Sequence, residues 1–311
     1  WIGNYQLPRT EKEGFSFSFT ARRQRSAYGT TLFDADQSVA FGQLTWEKKP
    51  GKNHQLFSGI VGRYTSYDDN TPATLSPDGK HNQPDRVFIP GVFVQDDINL
   101  HKNHSMLAGF RYDYDKRHGS IYTPRLAYKW NLSDKDYLRV NLGTGFRVVN
   151  LFTEDHAALT GAREVVILGD LKPERSYNAS LNYTRKMVVG TGYFHLEAAA
   201  WYTHFTNRIV PDYNTNTDQI IYANLDGYAK SSGLSLNLDG QLSHRIRFTS
   251  GFTLQDVSII QKDEQGRNRK SRQLLTETWS GTWTLSYRLG NSGWSADYTG
   301  SVYGPMKLPL L

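Results

Sequence analysis

Apolar and polar residues alternate with period two along almost the whole chain. Over residues 105–115, Met106, Ala108, Phe110, Tyr112 and Tyr114 fall on one side, and Ser105, Arg111, Asp113 and Asp115 on the other. Residues 120–132 repeat the pattern, setting Tyr122, Leu126, Tyr128, Trp130 and Leu132 against Thr123, Arg125, Lys129 and Asn131. Over 274–289, Trp279, Trp283, Leu285 and Tyr287 oppose a row of threonines and serines. Successive side chains of a strand point to opposite faces, so this period predicts strands with one apolar and one polar face. Similar stretches near 14–25, 38–48, 54–67, 86–100, 137–147, 174–187, 193–210, 219–242, 246–260 and 293–304 bring the total to roughly thirteen strands.

The connections carry a second pattern. Short polar turns fall at Lys49–Lys52, His101–His104, Ser133–Asp136, Val189–Gly192, Ser243–Arg245 and Gly290–Gly293. Longer segments lie between them, at 26–37, 68–85, 148–173, 211–218 and 261–272, with the short 116–119 connection as the exception. Short turns at one end and long loops at the other predict an up-and-down meander, the asymmetry of transmembrane barrels. Aromatics sit beside the short turns in pairs: Trp46 and Phe57, Trp130 and Tyr137, Tyr183 and Tyr193, Tyr287 and Trp294. Amphipathic rings favour a membrane–water interface, so these pairs are expected to form a belt. A charge on the lipid face near the bilayer centre costs about 2–4 kcal/mol. Arg111, Asp113, Asp115, Arg125, Lys129, Arg139, His195 and Glu197 are therefore expected to face the lumen.

Composition removes other classes. The 311 residues have 13% aromatics, no cysteine and a mean hydropathy of −0.59. No run of 18 apolar residues is present, which excludes a helical membrane protein. A cysteine-free chain has no disulfide scaffold, thiolate metal site or cysteine nucleophile. The net charge of +6 is spread along the chain. The clusters Arg22–Arg25 and Arg267–Arg272 read as solvated segments, so nucleic acid is not expected as a partner. No GxSxG, HExxH, P-loop or strand–GxGxxG–helix motif occurs, so an enzyme is not expected. His101 and His104 share a tight turn with no third ligand nearby in sequence. His195 and Glu197 share one strand face, and a polar lumen explains them more simply than an acid–base pair.

Four motifs in order resemble the barrel portion of the TonB-dependent outer-membrane receptors. Val92-Phe93-Val94-Gln95-Asp96-Asp97 is similar to the family's FxQD strand, and Gly109-Phe110-Arg111-Tyr112-Asp113 to its GxRYD strand. Gly143-Thr144-Gly145-Phe146-Arg147 resembles the GxGFRAP strand end, and Leu171-Lys172-Pro173-Glu174 the NPxLKPE element that follows. Val148-Val149-Asn150 departs from the usual Ala-Pro, and Leu168-Gly169-Asp170 from the usual Asn-Pro. The stretch His156–Arg163 resembles Bacteroidota-type members.

The resemblance implies an all-β, antiparallel, up-and-down transmembrane barrel. It would be incomplete, with about 13 of an expected 22 strands. Residues 1–311 would form part of a single barrel domain, with the N-terminal plug and the C-terminal closing strands absent. The implied function is active, TonB-dependent uptake of a scarce bulky nutrient: a ferric siderophore, cobalamin or haem, in that order. A passive porin or surface adhesin is the alternative. The implied partners are outer-membrane lipid, the TonB complex through the plug, the nutrient chelate and, in the Bacteroidota branch, a surface lipoprotein. No cofactor is expected, and the bacterial outer membrane is the implied location.

Ligand contacts would come from the loops and the upper lumen: Arg147, Asn150, Thr153, Glu154, Asp155, His156 and Arg163 around the longest loop, and Tyr213 in the 211–218 loop. Haem receptors of the family often place a ligating histidine where His156 lies, although a solvated loop histidine is the plainer reading. Among the carboxylates of the 67–85 loop, Asp68, Asp69 and Asp78 are weak calcium candidates, because oxygen ligands need a geometry that spacing alone does not supply.

Overall fold

A computed structural model describes residues 2–6, 13–29, 31–71, 74–76, 80–148, 164–169, 171–212, 215–216, 218–262, 265–290 and 293–308. Its strands are β1 (Ile2–Gln6), β2 (Glu13–Tyr28), β3 (Thr31–Lys48), β4 (His54–Asp69), β5 (Asp85–His101), β6 (His104–Asp115), β7 (Gly119–Asn131), β8 (Asp136–Arg147) and β9 (Glu164–Ile167). They continue with β10 (Glu174–Val189), β11 (Gly192–Asn207), β12 (Ile209–Asp212), β13 (Gln219–Asn224), β14 (Gly227–Gln241), β15 (Ile246–Lys262), β16 (Asn268–Arg272), β17 (Trp279–Arg288) and β18 (Ser295–Tyr303). One 15-stranded sheet runs in the order β1 to β8, β10, β11, β14, β15, β17, β18, with β16 paired to β15 alone. Every neighbouring pair in it is antiparallel, and β1 and β18 end the path without pairing to one another. The remaining strands, β12, β13 and β9, form a separate three-stranded sheet.

Each expected strand has a counterpart, but several bounds differ: 193–210 breaks at Arg208 into β11 and β12, β9 and β16 form inside the expected loops 148–173 and 261–272, and β1 precedes the first expected strand. The segment 26–37 is strand, because β2 and β3 continue as a hairpin turning at Gly29, whose φ of 62° suits glycine. The stretch 219–242 is two strands, broken at Leu225-Asp226, where Gly227 takes φ 147° and a Cβ would meet the Ile260 carbonyl oxygen. Residues 274–278 precede β17 and form no continuous strand, with isolated bridges to 306–307.

The cross-strand register extends the alternation of single strands across the whole sheet. One face carries Phe17, Leu44, Ile60, Val92, Phe110, Leu126, Leu142 and Leu181, all exposed. The opposite face carries Arg111, Asp113, Arg125, Arg139, Asn141, Ser180 and Glu197. Polar groups on that face satisfy one another. Arg111 donates to both oxygens of Asp113 (Nε–Oδ2 and Nη2–Oδ1, each 2.7 Å), Arg125 donates to Gln95, and Asn141 donates to Ser180 Oγ at 3.0 Å. The aromatic pairs beside the short turns split between the faces, correcting the expected belt of both members. Trp46 and Trp130 lie on the apolar face, while Phe57 packs against Phe93 on the polar side, ring centroids 5.4 Å apart. Tyr137 also lies on the polar side, under the Lys129 ammonium.

The polar face is the concave one. Phe33 and Ala35 of β3 and Tyr67 of β4 share a buried cluster with Ile209, Ile220 and Tyr222 of the small sheet. The small sheet comes from the connections after β8 and β11, several strands away along the large sheet. Only a sheet curled toward its polar face brings these groups together.

Candidate functional site

At the loop end of the wall, the long connections fold back over the concave side. The small sheet is built by β12 pairing antiparallel with β13, and β13 parallel with β9. Its alternation places Ile220 and Tyr222 on one side, where they bury against Phe33, Ala35 and Tyr67, with Val165 and Leu171 packed at the edge. Tyr222 is 2% exposed. An apolar cluster of this kind holds two loops across the mouth, because burying each large side chain is worth about 1.5–3 kcal/mol.

A polar clasp ties this cap to the wall. Arg147 ends β8 and Glu174 begins β10, and the two face one another in register. Arg147 Nε and Nη2 donate to Glu174 Oε2 at 2.9 and 2.7 Å, while Glu174 Oε1 accepts from the Ile209 amide at 3.2 Å. The carboxylate is buried, and it therefore fixes the start of β12 as well as the end of β8. Burial pulls the neighbouring Arg208 guanidinium below its ordinary value; the Glu174 charge opposes that effect and Arg147 adds to it. Asn207 Nδ2 donates to the Lys172 and Pro173 carbonyls at 3.1 and 2.7 Å. Asn224 completes the join, donating to the Lys172 carbonyl at 3.0 Å and accepting from the Lys172 amide at 2.8 Å. The motif segments ending at Arg147 and Glu174 thus have a shared mechanical role, which spacing along the chain did not reveal. Their complementary charges at the two ends of one long loop were the available signal.

Of the expected ligand residues, Arg147 lies in this clasp, at the mouth. Asn150, Thr153, Glu154, Asp155, His156, Arg163 and Tyr213 lie outside the described residues, as does Asp78. Asp68 and Asp69 fall on opposite faces of β4, so they do not converge. Asp68 accepts from Asn82 Nδ2 at 2.8 Å. Asp69 is the hub of its own loop, accepting from Tyr67 Oη (2.7 Å), the Thr71 amide (2.9 Å), Thr71 Oγ1 (2.8 Å) and Thr74 Oγ1 (3.0 Å). Its lone pairs are engaged by protein donors. Asp69→Ala is expected to destabilise the 70–84 connection by about 1–3 kcal/mol, read as faster amide exchange there. Calcium is expected to leave the exchange of the native loop unchanged; protection by calcium would make Asp69 a ligand instead.

Among the described residues, no group of three or more His, Asp or Glu side chains is placed to hold a metal. His104 donates or accepts through Nδ1 with Tyr128 Oη at 2.6 Å and stacks on Trp130, which makes it part of the aromatic rim of the short-turn end. His195 and Glu197 meet on the concave face with Nε2–Oε1 at 3.7 Å. The basic cluster forms β16 on the loop side of β15, where Lys270 pairs with Asp256 at 2.7 Å and Arg269 and Arg272 are exposed.

The antiparallel wall, with one apolar and one polar face, defines part of an outer-membrane β-barrel. The family model described as "TonB dependent receptor-like, beta-barrel" matches residues 2–307, and the chain belongs to that family. It is 24% identical over 283 residues to the "Iron-regulated outer membrane virulence protein" of two Vibrio cholerae strains, a match covering 82% of this chain and 40% of the relative's length. The chain thus spans well under half of the curated relatives it matches. Among solved structures, the siderophore receptor PirA from Pseudomonas aeruginosa superposes with a TM-score of 0.68 at 16% identity, covering 97% of this chain and 52% of that one. The FrpB iron transporter from Neisseria meningitidis superposes with a TM-score of 0.60 at 14% identity, covering 93% and 50%. The structural likenesses show the fold, and the family places the chain in the bacterial outer membrane. The apolar face meets lipid, and the concave polar face lines the lumen.

Proposed function

We propose that this chain is the barrel wall of an energised receptor that takes a ferric siderophore complex from outside the cell. The observation that carries the reading is the capped mouth: two long loops are anchored across the lumen by one buried cluster and by Glu174. Such a mouth suits capture of a bulky ligand, whereas a passive pore needs an open one. A siderophore receptor among the solved structures and an iron-regulated relative support putting a ferric siderophore first, and exposed Arg269 and Arg272 near the loop end suit an anionic chelate. Asn150, Glu154, Asp155, His156, Arg163 and Tyr213, together with Arg147, are the loop residues assigned to ligand contact. Unpaired strand edges do not persist in lipid, so further strands pair with β1 and β18, and a plug inside the closed barrel couples to TonB.

The test is growth of a deletion strain under iron limitation, supplied in turn with ferric siderophores, with haem, and with cobalamin where growth requires it. Loss of growth on a ferric siderophore alone is the expected outcome. Loss on haem or cobalamin instead would move the ligand, and equal growth with and without the gene on all three would sink the uptake reading.

A further inference from the structure

The lipid-facing side of β2–β5 has two recesses stacked one above the other. The lower is an apolar groove of about 510 Å³. Its floor is a row of residues in register that lack outward bulk, Gly42, Gly62 and Pro90, and Leu44, Ile60 and Phe88 rise beside it. The upper is a polar recess of about 380 Å³, lined by Arg23, Ser38, Ser66 and Arg86 together with Asp36 and Asp68. All of these outward positions follow from the same register, Ser38 opposite Ser66 and Ser66 opposite Arg86.

Their heights match the two zones of an outer leaflet. A tilted barrel strand climbs about 2.5 Å per residue along the membrane normal, so an apolar band about 25 Å tall takes about ten residues. The short-turn rim lies at Trp46, Leu56 and Asp96, which face outward beside the turn between β3 and β4. Ten residues toward the loop end from these three are Asp36, Ser66 and Arg86. The polar recess is therefore at headgroup level on the loop side, and the groove beneath it is at acyl-chain level. Elsewhere the outward face is filled by bulky side chains such as Phe110, Tyr122, Leu126 and Leu142.

The recess chemistry selects a headgroup. Arg86 has no side-chain partner among the described residues, and Arg23 lines the same recess while donating to both oxygens of Asp34 at 3.3 and 3.1 Å. Guanidinium groups at this level suit phosphate. Asp36 and Asp68 would repel a second anionic group, but carboxylates and serine hydroxyls accept hydrogen bonds from sugar hydroxyls. We propose that the β2–β5 wall binds a phosphorylated, acylated glycolipid of the outer leaflet. Its phosphate sits on Arg86 and Arg23, its sugar hydroxyls on Asp36, Asp68, Ser38 and Ser66, and one acyl chain along Gly42–Gly62–Pro90. The assignment rests on the outer-membrane location and is independent of the transported ligand.

The experiment titrates diphosphoryl lipid A into the detergent-solubilised full-length receptor and counts bound lipid by native mass spectrometry. Gly42→Leu fills the groove, and a Cβ at Gly42 meets nothing within 4 Å, so this variant is expected to fold. Arg23→Ala/Arg86→Ala removes the phosphate contacts. Each is expected to weaken the first binding event on the order of tenfold, with unchanged heat-modifiable migration on gels. Dephosphorylated lipid A is expected to bind wild type and the double-alanine variant alike. Equal lipid A binding by wild type and both variants would overturn the site, and phosphatidylglycerol binding as tightly as lipid A would overturn the glycolipid assignment.

Discussion

Leu142→Arg is expected to strip the receptor from the outer membrane, while Asn141→Arg leaves it there. The two positions are adjacent on β8 and differ only in the face they occupy. Leu142 is 47% exposed in a row with Leu126 and Ala179, and Asn141 lies among Ser180, Lys129 and Arg139 on the concave side. Leu142 is six residues from the start of β8, which puts it near the middle of the apolar band. An arginine there costs about 2–4 kcal/mol, enough to shift a marginal assembly equilibrium by well over tenfold. At Asn141 the loss is one hydrogen bond to Ser180, about 1 kcal/mol, and the new guanidinium faces the polar lumen instead of lipid. The amount of heat-modifiable protein in the outer-membrane fraction measures both. Equal amounts of the two variants would mean that the Leu142 face does not meet lipid.

The same logic explains what could be read from the chain. Within the bilayer a strand must alternate strictly, so β5 to β8 were legible almost to the residue. Above the bilayer that constraint ends while backbone pairing continues. Residues 26–37 therefore looked like a loop, because Asp34 and Asp36 point outward at or above headgroup level from what is still β3. The reverse error arose at 219–224. Ile220 and Tyr222 alternate like a wall strand, yet they serve the small sheet, and nothing local distinguishes the two uses. The parallel pairing of β13 with β9 joins segments more than 50 residues apart and left no period to detect. The apolar groove was equally hidden, since it needs Gly42, Gly62 and Pro90 to fall side by side on three strands. Of the expected ligand residues only Arg147 lies among the described ones, and its partner Glu174 was legible only as a motif letter.

That pair yields the second large effect, and it is asymmetric. Glu174 is 5% exposed, whereas the Arg147 side chain is 56% exposed. Removing the exposed partner strands the buried charge. Arg147→Ala is expected to cost about 3 kcal/mol, the low end for breaking a buried pair, because the Arg208 charge nearby compensates in part. Glu174→Ala leaves an arginine that can turn to solvent and an unsatisfied Ile209 amide, for about 1–2 kcal/mol. Both losses fall on the cap and not on the wall. Amide exchange is therefore expected to rise at Leu168, Ile209 and Leu225, which bond within or beside the small sheet, while the β6–β8 amides keep their protection. Glu174→Gln keeps the acceptor for Ile209 and is expected to fall between wild type and Glu174→Ala. The series also separates the two roles open to Arg147. If the residue only braces the cap, ligand binding falls in proportion to cap exchange across all three variants. If it also touches the ligand, Arg147→Ala loses binding beyond that line, and the excess disappears when binding is compared at equal cap exchange in Glu174→Ala. An Arg147→Ala receptor with native exchange and native binding would remove both roles at once.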